Sequence, residues 1–301
     1  MKRVLVICGA TATGKTSLAV DCAKALNTEI VSADSQLVYR GLNIGTAKPT
    51  YAEMQGVPHH MIDIVGAEEN FSVSDYGERA LPIINRLLGE GKTPVVCGGT
   101  GFYINSLLYD LGYGNAKANL TIRSKYEALL AERGKQYVFS LLEEIDPDSA
   151  RVLHVNDTKR VIRALEIFEV SGKKKSEQVD GFAPRFDYLA IAIDYPREAL
   201  YRRIECRVDM MFNAGLVDEV KRLLSAGINE NCQSMQAIGY KEVIEGLKNG
   251  FNDSTMRDII KKNTRHYAKR QQTFFKKLKG IVWLKPEEAT VNKIVELLND
   301  R

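Results

Sequence analysis

The chain has 301 residues, of which 45% are hydrophobic and 27% charged, so it can build one large domain or two smaller ones around a substantial core. Its formal charge of +4 is too small to argue for nucleic-acid binding from the total alone. No apolar run approaches the roughly 18 residues of a membrane span, and we expect no signal peptide because the first predicted strand begins at once. Five widely spaced cysteines and four histidines indicate reduced thiols rather than disulfides or a zinc site, and favour a cytoplasmic protein.

The segment 9–16 reads Gly-Ala-Thr-Ala-Thr-Gly-Lys-Thr and lies between an apolar run and a helical pattern. This is the G-x-x-x-x-G-K-[ST] spacing in its strand–loop–helix context. The backbone N–H groups of such a loop bind phosphate oxygens, Lys15 adds positive charge, and the Thr16 hydroxyl is a ligand for Mg²⁺. The sequence therefore predicts a phosphate or diphosphate site formed by Gly9, Ala10, Thr11, Ala12, Thr13, Gly14, Lys15 and Thr16.

Strands alternate with helices over the first 111 residues, which predicts a parallel sheet covered by helices on both faces. The predicted strands cover residues 4–7, 29–32, 59–64 and 93–97, and a helix is predicted over 74–88. Lys15, Asp34 and Thr100 each come soon after one of these strands. Because ligands bind beyond the carboxyl ends of parallel strands, we expect these three residues to face one crevice.

From 112 to 185 the pattern changes to helices with no clear strand. The predicted helices there cover residues 122–133, 137–144 and 159–170. A strand returns at 188–194, and the remaining predicted elements are helices over 197–214, 217–226, 240–247 and 254–278 and a strand over 281–284. The simplest organisation is an α/β core formed by 1–111 and 186–301, interrupted by an all-helical insertion, 112–185.

Asp34 is the first candidate for chemistry beyond the phosphate loop. A carboxylate facing a bound phosphate can act as a general base or help to hold Mg²⁺, but an Asp-Ser pair is equally typical of a turn cap. The turn 98–101, Gly-Gly-Thr-Gly, is common in composition and gains interest only from its expected closeness to the loop. His59 and His60 are adjacent on a strand and point to opposite faces, so a structural role is favoured over a shared metal site.

Two predicted helices carry basic faces, one at 159–163 and the other at 261–279. The second segment has no acidic residue, and Tyr267, Phe274 and Phe275 are interleaved among its eight basic residues. Phosphate-backbone contact together with base stacking explains this pattern better than a solvated helix face, which usually carries both signs of charge.

A third helix carries Arg202, Arg203 and Arg207. One of these arginines can reach the phosphates from across the crevice, and ion pairing with Glu205 or Asp209 is the alternative.

In chain order, these motifs resemble those of the bacterial tRNA dimethylallyltransferases, or tRNA isopentenyltransferases, of the IPP transferase family. The resemblance covers essentially the whole chain, and the ordered set is far more specific than the phosphate loop alone. The matching stretches are 9–16, 34–40, 44–49, 59–63, 71–75, 98–103, 156–166, 237–241 and 269–271. Phe274 stands where the family often has Trp, and 119–123 lacks the usual Asp-Pro.

The resemblance implies a P-loop NTPase-like core and transfer of a dimethylallyl group from dimethylallyl diphosphate to N6 of an adenine. That adenine lies 3′ of the anticodon in tRNAs reading codons that begin with U. Asp34 would accept the N6 proton, Thr100 would help to orient it, and Arg207 would bind the diphosphate, with Mg²⁺ as cofactor at Thr16. The implied tRNA contacts are Asp34, Ser35, Gln36, Leu37, Thr100, Arg123, Lys159, Arg160, Val161, Ile162, Arg163, Gln236, Ala237, Ile238, Gly239, Tyr240, Lys241, Arg265, Lys269, Arg270 and Gln271.

Three other functions remain as alternatives from the residues. A small-molecule kinase shares the loop and an inserted helical lid, but would not need the basic segment 261–279. A nucleotide-gated RNA-binding protein would need the basic helices but neither Asp34 nor Thr100. An adenylate isopentenyltransferase acting on free AMP would share the chemistry without the tRNA-binding helices. We expect a cytoplasmic monomer whose partners are tRNA and dimethylallyl diphosphate, with no membrane association.

Overall fold

The protein is described by a computed structural model that covers residues 3–111, 119–178 and 181–300. The chain divides into two compact units, Met1–Leu108 with Pro184–Arg301, and Tyr109–Ala183. The first unit is an α/β core and the second is mostly helical. No helix in the described ranges is long and apolar enough to cross a membrane.

The described residues contain eight strands, numbered here in chain order. They are β1 Arg3–Cys8, β2 Ile30–Ser32, β3 His59–His60, β4 Val95–Gly98, β5 Tyr109–Asp110, β6 Gly181–Pro184, β7 Asp187–Ile193 and β8 Ile281–Leu284. Six of them form one sheet in the order β3-β2-β4-β1-β7-β8, and all of its strand pairs are parallel. The parallel sheet predicted from the alternating pattern is therefore confirmed. Strands β5 and β6 pair separately.

In the described parts of the chain, twelve helices accompany these strands. They are α1 Lys15–Ala25, α2 Tyr51–Met54, α3 Val73–Gly89, α4 Gly101–Leu108, α5 Leu120–Ile145, α6 Pro147–Val152, α7 Thr158–Ser171, α8 Arg197–Asn213, α9 Leu216–Ser225, α10 Tyr240–Asn249, α11 Asp253–Phe275 and α12 Val291–Asn299. Helix α3 begins at Val73, one residue before the predicted start, and Ser72 and Asp75 cap it with a reciprocal capping box.

The central strand β1 is buried on both faces, which explains its continuous apolar run. Leu5 pairs with Val95 on one side and with Leu189 on the other. The exception is Arg3, whose guanidinium bonds to the Asp187 carboxylate at 2.9 Å and to the Leu298 carbonyl at 2.5 Å. A buried cation at the start of the strand is thus satisfied by partners from two later elements.

Several elements differ from the sequence prediction. The strand predicted over 59–64 ends at His60, because Met61 and Asp63 have φ angles of 64° and 55°, which no strand accommodates. The insertion predicted as all-helical contains β6. The sequence analysis does not predict α2, α4, α6 or α12. Helix α4 starts directly at Gly101, so the Gly-rich turn leads into a helix.

The second unit has its own apolar core between α5 and α7, which includes Tyr126, Val138, Leu142 and Leu165. Helix α5 contains a break at Gly134, whose φ of 80° and ψ of 170° lie outside the helical region. This break falls between the two helices that the sequence predicts there. Gly134 therefore divides one continuous stretch into two helical segments.

An ion-pair network secures the edge of the large sheet. The Glu29 carboxylate, just before β2, contacts His60 on β3 at 2.6 Å and Arg86 on α3 at 2.6 Å. Hydrogen bonds from Arg86 and His60 lower the pKa of Glu29 from its ordinary 4.5 to about 2. His59 bonds to the Val57 carbonyl at 2.8 Å, so both histidines have the structural role that the sequence favours.

We predict that Glu29→Gln destabilises the protein by about 1 kcal/mol at neutral pH, the upper end for ion pairs that solvent reaches. Because the pKa of Glu29 is depressed in the folded state, its contribution is present above pH 4.5 and is lost as the pH falls towards 2. Urea unfolding between pH 2 and 7 measures this contribution. The difference from the wild type should vanish at the acidic end.

The matched control is Glu68→Gln, since Glu68 is exposed and makes no ion pair with any described residue. A loss of stability in Glu29→Gln that persists unchanged at pH 2 would contradict the assigned pKa.

Candidate active site

The loop 9–16 adopts the conformation that a phosphate cradle requires. Gly9, Ala12 and Gly14 have positive φ angles of 123°, 62° and 86°, the kind of backbone turn from which anion-binding loops are built. Gly14 caps α1 without a side-chain hydrogen bond, so the first N–H groups of the helix are free to meet an anion. The predicted strand–loop–helix context is present.

Lys15 is held close to the loop by its own backbone. Its ammonium donates to the Ala10 carbonyl, and the Thr13 hydroxyl donates to the same oxygen at 2.9 Å. Burial lowers the pKa of Lys15, and the positive charge of Arg207 lowers it further. An anion placed in the loop would relieve both effects, because it pairs with the two cations at once.

Arg203 and Arg207 lie on the face of α8 that meets the loop. Arg203 donates to the Ala12 carbonyl at 2.7 Å, so it supports the loop backbone from outside. Arg207 lines the cavity described below, and burial lowers its pKa while the charge of Asp34 opposes the shift. The alternative of local ion pairing is not observed: Glu205 pairs with Arg265, and Asp209 pairs with residues of α11.

Asp34 and Thr100 are brought together by β2 and β4. Asp34 accepts a hydrogen bond from the Gln36 N–H at 2.9 Å, which is the turn-capping role foreseen as the alternative. Thr100 accepts from the Ser35 N–H at 2.9 Å, and its own N–H bonds to the Ala33 carbonyl at 3.0 Å. The carboxylate is thus fixed by a turn that Thr100 anchors, and its second oxygen remains available to a ligand.

A cavity of about 340 Å³ opens beside these residues and has two chemically distinct walls. Charged and polar groups on its lining include Lys15, Thr16, Asp34, Arg207 and Arg270. The apolar lining includes Ile204, Val208, Met211, Ile238 and Ile260. Residues 204, 207, 208 and 211 form one face of α8, at the i, i+3, i+4, i+7 spacing. Helix α8 therefore places a cation beside an apolar surface, which suits a ligand with a charged head and a short alkyl tail.

The inner face of α11 closes the cavity with Thr264, Tyr267 and Gln271. The Gln271 amide accepts from the Thr11 N–H at 2.9 Å and donates to the Gly99 carbonyl at 2.9 Å. Burial raises the pKa of Tyr267, and the neighbouring Thr100 and Gln271 side chains oppose this shift. These contacts were missed, because the sequence shows only a basic segment here.

The loop 43–47 forms another wall and is held by a buried carboxylate. Glu219 on α9 is 1% exposed and accepts from the N–H groups of Asn43 and Ile44 at 3.2 and 2.9 Å. Tyr240 donates to Glu219 at 2.5 Å and accepts from the Gly45 N–H at 3.2 Å. A Cβ on Gly45 would lie 2.4 Å from the Tyr240 ring, so the loop 43–47 requires glycine at position 45.

The burial of Tyr240 contradicts its predicted contact with tRNA. Tyr240 was grouped with the tRNA contacts, but it is fully buried, and its role is to fix the loop 43–47. Ala237 is 7% exposed and lines the cavity with Gln236 and Ile238. Lys241 is exposed, and Gly239 adopts a φ of 101° at the start of α10.

The predicted basic surface of α11 is partly neutralised. Lys261 pairs with Asp209 at 2.8 Å, and Arg265 pairs with Glu205 at 2.7 Å, so these two hold α11 against α8. The other six basic residues of 261–279 are exposed and make no ion pair with any described residue. They are Lys262, Lys269, Arg270, Lys276, Lys277 and Lys279.

The predicted surface of α7, in the second unit, also needs correction. Val161 and Ile162 are 1% and 6% exposed and belong to the core of that unit, so their side chains cannot reach a ligand. Lys159 and Arg160 are exposed. Arg123 and Arg163 both bond to the buried Glu166 carboxylate, at 3.0 and 2.7 Å.

The donor set at the loop fits the predicted Mg²⁺. Thr16 and Asp34 both line the cavity and offer hard oxygen ligands, which Mg²⁺ prefers in combination with substrate phosphates and water. Within the described ranges, no cluster of three or more His, Cys, Asp or Glu side chains is placed to hold a metal ion. Cys97 also lines the cavity, but burial raises its pKa to about 11, so it remains an inert thiol at neutral pH.

Known proteins match this chain over most of its length. The family model described as IPP transferase matches residues 37–278. The tRNA dimethylallyltransferase of Alkaliphilus oremlandii is 44% identical over 94% of this chain and 91% of the relative. That of Acetivibrio thermocellus is 43% identical over 96% of this chain and 93% of the relative.

Solved structures agree with these relatives. The tRNA isopentenylpyrophosphate transferase of Bacillus halodurans matches with a TM-score of 0.73 and 40% identity, over 100% of this chain and 95% of that one. A eukaryotic dimethylallyltransferase acting on tRNA matches with a TM-score of 0.85 and 29% identity, over 100% and 79% of the two chains. The phosphate loop, the strand-end carboxylate and these matches together show that the chain belongs to the IPP transferase family.

Proposed function

We propose that the protein transfers a dimethylallyl group from dimethylallyl diphosphate to N6 of the adenine 3′ of the anticodon, position 37 of the tRNA. Its substrates are tRNAs reading codons that begin with U, and its products are N6-dimethylallyladenosine and diphosphate. The observation that carries the proposal is one cavity lined by a phosphate loop, a carboxylate and an apolar wall. The names of the relatives supply the tRNA and the allyl donor.

The diphosphate binds in the loop 9–16, where N–H groups, Lys15 and Arg207 receive its charge. Val208 and Met211 follow Arg207 on α8, so the dimethylallyl tail packs against them when the head meets Arg207. Mg²⁺, when bound through Thr16, neutralises further charge on the diphosphate. The loop thus holds a leaving group rather than ATP for hydrolysis.

The acceptor adenine enters beside Asp34. The N6 lone pair forms a bond to the allylic carbon as the bond from that carbon to the diphosphate oxygen breaks, and diphosphate leaves with the electron pair. Asp34 accepts the proton that N6 loses, and Thr100 keeps the carboxylate oriented through Ser35. Because an adenine amine is a weak nucleophile, the positioning of the two substrates dominates the rate.

The tRNA is held by exposed basic residues and must unstack its target base, at an estimated few kcal/mol. On α11 we assign phosphate contacts to Lys262, Lys269 and Arg270, and in the second unit to Lys159 and Arg160. Arg123, Arg163 and Arg265 are tied to carboxylates, so a tRNA contact from them would compete with these pairs. We propose that the enzyme acts as a cytoplasmic monomer.

The test is incorporation of radiolabelled dimethylallyl diphosphate into unmodified tRNA with Mg²⁺, with free AMP and ATP hydrolysis measured in parallel. We expect label in tRNA alone. Label in AMP would identify an adenylate isopentenyltransferase. ATP turnover with no label in either acceptor would favour the kinase, and tRNA binding without any turnover would favour the RNA-binding protein.

Asp34→Asn should lower kcat by about 10²–10⁴-fold, the usual effect of removing a general base. The amide oxygen can still accept from the Gln36 N–H, so the turn is preserved and tRNA affinity should change little. The matched control is Asp21→Asn, an exposed carboxylate on α1. Wild-type turnover in Asp34→Asn would remove this residue from the mechanism.

Lys262→Ala combined with Lys269→Ala should weaken tRNA binding and flatten its salt dependence. These lysines lie seven residues apart on one exposed face of α11, and each phosphate contact contributes about 0.7–0.9 to the slope of log K against log salt. The control removes the same charge elsewhere, with Lys221→Ala and Lys285→Ala, both exposed. An unchanged slope in the α11 variant would place the tRNA surface elsewhere.

A further inference from the structure

Gln271 joins two parts of the site that come from different strands. Its side chain is 6% exposed, with Oε1 accepting from the Thr11 N–H and Nε2 donating to the Gly99 carbonyl, both at 2.9 Å. Thr11 belongs to the phosphate loop after β1, and Gly99 belongs to the turn after β4 that leads to Thr100. One amide therefore spans the leaving-group loop and the acceptor turn.

The bridge lies just beyond the point where the pairing of β1 with β4 ends. The pairing of β1 with β4 ends at Cys8 and Gly98, after which the two backbones separate into loops. Gln271 continues the connection beyond the last paired residues. A primary amide is suited to this position, because it has an acceptor and a donor in one planar group, whereas a carboxylate or thioether has no donor.

The turn also approaches this amide so closely that a side chain at position 99 would displace it. A Cβ on Gly99 would lie 2.2 Å from Nε2 of Gln271. Tyr267, one helical turn earlier on α11, lines the same cavity as Gln271. The bridge is thus buried at the cavity wall and is not a surface contact.

Given the proposed function, on which this step rests, we propose that Gln271 is a positioning residue. It fixes the distance between the loop that holds the diphosphate and the turn that orients the Asp34 carboxylate through Thr100 and Ser35. The family resemblance implies a tRNA contact for Gln271, whereas its burial and its two backbone partners give it a different role.

The physical consequence concerns the rate of transfer and not the binding of either substrate. Each half of the site keeps its own ligands without Gln271: the loop keeps Lys15 and its N–H groups, and the turn keeps its bonds to Ala33 and Ser35. What is lost is the fixed separation between the two halves. A misplacement of about 1 Å between reacting groups costs about 100-fold in rate.

The experiment compares Gln271→Met, which keeps the side-chain length but removes both hydrogen bonds, with the wild type. Single-turnover transfer is measured with both substrates saturating, and the Kd values for tRNA and for inorganic pyrophosphate with Mg²⁺ are measured separately. We expect transfer to fall about 100-fold, with both Kd values nearly unchanged. The control is Gln272→Met at the neighbouring position. The Gln272 side chain makes no hydrogen bond with any described residue, so the transfer rate of this variant should match that of the wild type.

A tRNA-contacting role would instead raise the Kd for tRNA and leave the saturated rate intact, and a merely structural role would lower thermal stability with no effect on the rate of the folded fraction. Either result overturns the proposal.

Gly99→Ala provides a second route that does not alter α11, because its Cβ displaces the same amide. Its rate defect should not add to that of Gln271→Met, since both variants break one bridge. If Gln271→Met fails to fold, Gly99→Ala alone decides, and a wild-type saturated rate in it overturns the proposal. A wild-type protein that transfers no label contradicts the proposed function itself, whereas an active wild type with an unaffected Gln271→Met contradicts only the role of Gln271.

Discussion

At the carboxyl edge of the sheet, the backbones that follow β2 and β4 approach each other so closely that a Cβ on Gly98 would lie 2.1 Å from the Ala33 carbonyl oxygen. The Ala33 N–H bonds to Cys97 and the Thr100 N–H bonds back to Ala33, at 2.7 and 3.0 Å. This contact places Asp34 beside Thr100. Because β1 pairs with β4 on its other side, the phosphate loop is brought to the same edge, and the donor and acceptor halves of the reaction share one rigid frame.

Two helices then complete the frame, and each has two chemically different faces. Helix α8 sets Arg207 next to Val208 and Met211, so that one face matches both the charge and the apolar tail of an allylic diphosphate. Helix α11 turns Tyr267 and Gln271 inward and Lys262 and Lys269 outward. The ion pairs of Lys261 and Arg265 with α8 hold the two helices together. A helix with exposed positive charge on one side, which we propose binds tRNA, therefore also lines the cavity with its other side.

The sequence predicted the strand–loop–helix context of residues 9–16 and the position of Asp34 at the end of a strand, because both depend on local spacing. It could not show that Gln271 bonds to Thr11, since these residues are 260 positions apart and nothing in a run of basic residues marks one glutamine as buried. The same holds for Glu219, which lies 175 positions from Ile44. The resemblance places Val161 and Ile162 on a tRNA surface because they belong to a basic motif. Neighbouring residues of a helix point to different sides, however, and these two face the core.

The electrostatics of the cavity favour the binding of an anion there. Burial lowers the pKa of both Lys15 and Arg207, and the positive charge of Arg207 lowers the pKa of Lys15 further. The Lys15 ammonium donates to the Ala10 carbonyl of its own loop. An incoming diphosphate offers that ammonium a better partner and pairs with Arg207 as well. In the proposed transfer, charge grows on the leaving group, so the same two cations would stabilise the transition state more than the bound substrate, which is the condition for catalysis.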